Sequence, residues 1–92
     1  MRVEFSKSAV KFLKKLDADK QQLLRSKIAL LQQSLTEKRV LPFDELDIKK
    51  LKGNWRGYFR VSVGKIRVIF IVRVEAEKLY IYDICFRGDA YS

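Results

Sequence analysis

Ninety-two residues with 20 Lys and Arg against 11 Asp and Glu, a formal charge of +9 and no histidine, describe a single small basic domain spanning 1–92. With no histidine and one cysteine, Cys85, the chain has no imidazole base, no internal disulfide and no zinc-type ligand spacing. The longest apolar run, "VIFIV", is far short of the ~20 residues a membrane span requires, and "MRVEFSKSAV" has no signal-peptide core, so a cytoplasmic location without membrane contact is expected.

The first element is a short strand, "RVEF", with Val3 and Phe5 on one side. Ser6 follows as a helix N-cap, with Phe5 and Val10 at hydrophobic-staple spacing. Ala9, Val10, Leu13 and Leu16 then recur at helical intervals, and "DAD" offers a second cap at Asp17 or Asp19. Beyond it Leu24, Ile28, Leu31 and Leu35 form the apolar stripe of a second helix. Two amphipathic helices with so short a link predict an antiparallel hairpin. The periodicity fails after Thr36, and "EKRVLPFDELDIKKLKGNWRG" reads as a long connecting loop.

Three strands complete the chain: 58–63, 65–74 and 79–86, joined by tight turns at "GK" and "EAEK". The order β-α-α-β-β-β predicts an α+β fold, an N-terminal strand and helical hairpin packed on a mainly antiparallel four-stranded sheet.

From Ile48 to Val74 there are eight basic residues and no acidic one, a distribution that suggests a polyanionic partner. A two-residue turn at Gly64-Lys65 sets Ser62 opposite Arg67 and Arg60 opposite Ile69. Alternation sends Phe59, Val61, Val63, Ile66, Val68 and Phe70 to the helices, leaving Arg60, Ser62 and Arg67 together on the free face. The two guanidiniums would stand roughly 7–8 Å apart on the diagonal, a repulsive arrangement that an anion between them would relieve. A two-residue turn at Ala76-Glu77 would set Arg67 opposite Phe86. Strict alternation would then aim Arg87 at the helices, so Arg87 and Tyr91 are placed at the rim of the patch by proximity alone.

Arginine stays protonated and is no base, but its planar donors match phosphate oxygens in pairs. RNA brings its own nucleophile, the 2′-hydroxyl, so in-line geometry and charge stabilisation would suffice for cleavage without metal or cofactor. A protein-binding basic face is the competing reading. Trp55, Tyr58, Tyr80 and Tyr82 read as core or sheet-surface packing rather than base-stacking groups, Cys85 as a small core residue, and Asp83 as an ion-pair partner for an arginine.

"LKGNWRGYFRVSVGKIRVIF", followed by "LYIYDICFRGDAYS", resembles the RelE/ParE superfamily of toxins from prokaryotic type II toxin–antitoxin systems, over nearly the whole chain. The resemblance implies a RelE-like fold and a metal-independent endoribonuclease that cleaves mRNA on the ribosome and is held inactive by a cognate antitoxin. It assigns catalysis to Arg60, Arg67, Arg87 and Tyr91, with Arg67 on the scissile phosphate. Ser62 stands where the RelE-type pattern has a second lysine. Lys49, Lys50, Lys52, Arg56 and Lys65 are the candidates for RNA or ribosome contacts that would replace that charge. The antitoxin is expected to be acidic, with a segment that folds on this chain. The alternatives are a ParE-like inhibitor of DNA gyrase that cleaves nothing, and a degenerate toxin that only binds its antitoxin.

Overall fold

The computed structural model describes residues 1–89, which form one five-stranded sheet with two helices against one side of it. Strand β1 (Arg2–Phe5) leads into α1 (Lys7–Lys15) and α2 (Ala18–Lys38). Strands β2 (Asp47–Lys50), β3 (Tyr58–Val63), β4 (Ile66–Arg73) and β5 (Lys78–Phe86) follow. The spatial order is β1-β5-β4-β3-β2, with β1 parallel to β5 and every other pair antiparallel.

Local chemistry sets the helix starts. Ser6 Oγ accepts the Ala9 amide hydrogen at 3.1 Å, and Asp17 Oδ1 accepts that of Lys20 at 2.9 Å, satisfying donors that the first helical turn leaves open. α2 ends at Arg39 in the left-handed region (φ 58°). Leu24, Ile28, Leu31 and Leu35 are all buried, as the spacing predicts. They meet Val61, Val68, Phe70, Leu79 and Ile81 of the sheet in one apolar cluster. Each such side chain contributes about 1.5–3 kcal/mol on burial, which makes this layer the main source of stability.

The sheet has five strands, not four. The extra one, β2, lies within the segment read as a loop, pairing Asp47 with Ser62 and Lys49 with Arg60. It is short and highly charged, and only Ile48 is buried, so it carries little apolar periodicity. Such an edge discourages further strand pairing.

At the hairpin the expected register holds: Val63 faces Ile66, Ser62 faces Arg67, and Arg60 faces Ile69. Gly64 takes φ +61° at the first turn position, where a side chain would be strained. The β4–β5 register does not follow the expectation. Arg73 pairs with Lys78 across a four-residue connection, and the pairing slips between Ile69 and Phe70, so that Arg67 faces Cys85 rather than Phe86. The slip is a bulge at Tyr82. Ile81 and Ile84 are both buried in the core although three residues apart, and alternation alone cannot send both to one side. Two bonds from the start of α1 fasten the bulge. The Ser6 amide donates to the Ile81 carbonyl at 3.0 Å, and the Ser6 hydroxyl donates to the Tyr82 carbonyl at 2.6 Å.

No helix among the described residues is long and apolar enough to cross a membrane.

Candidate nucleic-acid interface

The sheet face away from the helices is ordered into rows that run across the strands. Asp47, Ser62, Arg67 and Cys85 form one row; Lys49, Arg60, Ile69 and Asp83 form the next; Tyr58, Ile71 and Tyr80 form a third beyond the bulge. Arg60 and Arg67 therefore share a face, on adjacent strands and in adjacent rows. Lys49 stands directly beside Arg60, although its strand was not expected.

The two arginines sit in different surroundings. Arg60 is only 7% exposed. Its Nη1 donates to Ser62 Oγ at 2.7 Å and lies 3.9 Å from Asp47 Oδ2, whose own side chain is mostly in solvent. Ser62 thus holds Arg60 in place. Arg67 is half-buried, and its Nε is a buried donor with no acceptor among the described residues. A buried unsatisfied donor costs about 1–3 kcal/mol, which a bound anion at this position would recover.

The remaining basic residues divide among several places. Lys65 is exposed on the hairpin turn, and its carbonyl accepts the Arg87 amide at 2.7 Å, which ties Arg87 beside the row that contains Arg67. Arg87 is exposed and opens a 3-10 turn, Arg87–Asp89, directly after β5. Lys52 and Arg56 flank a 3-10 turn, Gly53–Trp55, at the far end of the face. With Lys50, Leu51 and Gly53 they line an open depression of about 420 Å³. Lys50 pairs with Phe59 and so has the helix-side parity, apart from the others. Tyr91 lies outside the described residues.

Asp83 does not pair with an arginine among the described residues; it accepts a hydrogen bond from the Ser8 hydroxyl at 3.2 Å. Cys85 is buried, but on the free-face side beside Arg67 rather than in the helix-side core. Trp55, Tyr58 and Tyr82 gather on the free face, with ring centroids 5.4–5.5 Å apart and steep interplanar angles of 69–89°. Tyr80 adjoins Tyr82 at 6.5 Å.

The fold has counterparts among solved structures. A chain of the archaeal RelE–RelB complex from Pyrococcus horikoshii OT3 superposes with a TM-score of 0.73 at 27% identity, over 97% of each chain. A chain of the RelB–RelE antitoxin–toxin complex from Methanococcus jannaschii gives 0.68 at 26%, over 97% of this chain and 99% of that one. This chain is similar to the RelE toxins and has the RelE-like fold. The isolated E. coli RelE toxin shares the fold at a TM-score of 0.69, over 97% of this chain and 86% of its own, with only 16% identity. No protein-family profile and no curated protein matches the sequence. The RelE-like fold is therefore recognised through three-dimensional similarity, with local motifs in the sequence pointing the same way.

Proposed function

We propose that this RelE-like chain is the toxin of a type II toxin–antitoxin pair and acts as a metal-independent endoribonuclease on mRNA in the ribosome. One observation carries the reading: Arg60 and Arg67 stand in adjacent rows of the uncovered sheet face, and Arg67 Nε is buried without an acceptor among the described residues. A phosphodiester oxygen supplies that acceptor, and two guanidiniums stabilise the charge that grows on the phosphoryl oxygens.

In the proposed reaction the RNA 2′-oxygen attacks the adjacent phosphorus in line. The new P–O2′ bond forms as the P–O5′ bond breaks, leaving a 2′,3′-cyclic phosphate, and the 2′-hydroxyl proton is lost as the 5′-oxygen gains one. Arg67 holds a non-bridging oxygen. Arg60, fixed by Ser62, adds charge from the side, and Arg87 assists at the leaving oxygen. Tyr91 would relay a proton or position a base. Lys49 takes the neighbouring phosphate, while Lys65 and the pair Lys52 and Arg56 extend the backbone track at either end; Lys50 would reach ribosomal RNA from the other side of β2.

An antitoxin partner is proposed by analogy with neighbours found in RelE–RelB complexes, and the +9 charge of this chain favours an acidic one. The helix side offers such a partner half-exposed Leu23 and Phe86 around a groove of about 200 Å³, with Lys20 and Lys65 also on its lining. An amphipathic acidic segment fits that chemistry.

Purified toxin with programmed ribosomes is expected to cut mRNA, and Arg67→Ala to reduce cutting by ~10²–10³, the usual cost of a preorganised donor to a developing charge. Equal cutting by the variant would remove Arg67 from the mechanism. The near-complete burial of Arg60, beside Asp47 and Ser62, favours a second reading in which the basic face is structural and the chain inhibits gyrase or only binds antitoxin. Inhibition of DNA supercoiling with mRNA left intact supports the gyrase branch. Absence of growth arrest on induction supports the binding-only branch.

A further inference from the structure

The aromatic residues on the free face lie outside the core cluster that the helices cover. Three features argue that they do more than pack. Tyr82 is the bulged residue of β5, held by the Ser6 hydroxyl through its carbonyl, and it remains 40% exposed despite three ring neighbours. Bulges commonly re-aim a side chain next to a functional site. Trp55 is brought in from a separate segment, where the Leu51 amide bonds the Tyr58 carbonyl at 3.0 Å and closes the loop that carries it. The rings also meet edge to face, and each such contact uses the face of one ring and the edge of another. Tyr82, the exposed member of the trio, presents its ring to a planar partner.

The charge around these rings specifies the partner. Tyr58 is two residues from Arg60 on the same strand and face, a separation of about 6.6–6.8 Å, close to the phosphate repeat of an extended single strand. Lys49 stands beside Arg60, while Lys52 and Arg56 bracket the turn that carries Trp55. We propose that Trp55, Tyr58 and Tyr82 form a stacking platform for an unpaired nucleobase of single-stranded RNA, whose backbone runs from the Lys52–Arg56 end past Lys49 and Arg60 to Arg67. The platform rests on the RNA reading above and deepens it by naming where the nucleotide flanking the cleaved linkage is held. Stacking is tolerant of sequence because every base has a π-face, so the platform contributes affinity and register rather than strong base choice.

Trp55 is the single tryptophan of the chain, so its emission reports on the platform alone. The full-length protein is titrated with a short single-stranded oligoribonucleotide and, separately, with inorganic polyphosphate, which carries the charge without bases. RNA is expected to quench Trp55, and polyphosphate to bind, read by competition with labelled RNA, with little quenching. Tyr82→Ala is expected to weaken RNA binding about 5- to 150-fold, the equivalent of one lost stack at ~1–3 kcal/mol, and to leave polyphosphate binding within about twofold. Tyr82→Phe keeps the ring and is expected to retain RNA affinity, which guards against a folding defect in the alanine variant.

RNA that binds without quenching overturns the platform, as does an equal loss of RNA and polyphosphate affinity in Tyr82→Ala, or full RNA affinity in that variant. Absence of RNA binding overturns it together with the RNA reading. Quenching without cleavage on ribosomes keeps the platform and defeats the nuclease reading; Arg67-dependent cleavage without quenching does the reverse.

Discussion

The two faces of the sheet follow opposite rules although they share every strand. On the helix side, Val61, Val68, Phe70, Leu79 and Ile81 are closed off in one apolar cluster with α2, and no charge is buried there among the described residues. On the other side the same strands carry Arg60, Arg67 and a set of rings, with one guanidinium nitrogen left without an acceptor among the described residues. The first face obeys apolar burial and satisfied polarity; the second breaks both. Local violations of the folding rules are expected where a surface is shaped for a ligand rather than for stability.

That contrast separates stability from function residue by residue. Phe70 is fully buried, so Phe70→Ala is expected to lower the unfolding free energy by ~3–5 kcal/mol, seen as a fall in the urea midpoint. A smaller loss would mean that the helix-covered face is less tightly packed than its burial indicates. Arg60 belongs partly to each regime. Because its Nη1 bonds Ser62, Arg60→Ala is expected to cost ~1.5–3 kcal/mol of stability and also to weaken RNA binding, and a variant that lost only one of the two would assign Arg60 to a single role.

Asp17→Ala removes the α2 cap far from the basic rows. A loss of ~1 kcal/mol in stability with unchanged RNA affinity is expected, and altered affinity would show that the two faces are coupled. The smallest effect is at Asp47, which is exposed and 3.9 Å from Arg60 Nη1. Asp47→Asn removes a weak competitor for phosphate and is expected to tighten RNA binding roughly two- to fivefold at low salt, an advantage that fades as salt screens it.

What the sequence disclosed was what neighbours in the chain decide. Ser6 and Asp17 announce their helices because capping is local chemistry, and Gly64-Lys65 fixes the β3–β4 register because a two-residue turn leaves no slack. Arg60 and Arg67 could be set on one face by that register alone. β2 was hidden because one apolar residue, Ile48, is too little signal, and residues 51–57 join it to β3 without a tight two-residue turn to set the register. The bulge was hidden for a related reason. Only the packed structure reveals that Ile81 and Ile84 both belong to the core, and with that fact the pairing of Arg67 changes. The ring cluster joins Trp55 to β3 and β5, an association that strand alternation within one hairpin does not disclose.

The central claim is that the free face is shaped for an anion, and Arg67 is where it is most exposed to test. Arg67→Gln keeps much of the side-chain volume but removes the charge and the buried Nε donor. Its urea unfolding midpoint and its affinity for single-stranded RNA, measured on the same preparation, are expected to diverge: a midpoint equal to or above that of the parent, with RNA binding weakened at least tenfold and a shallower salt dependence. A midpoint lowered as far as that of Phe70→Ala, with RNA binding intact, would contradict the account.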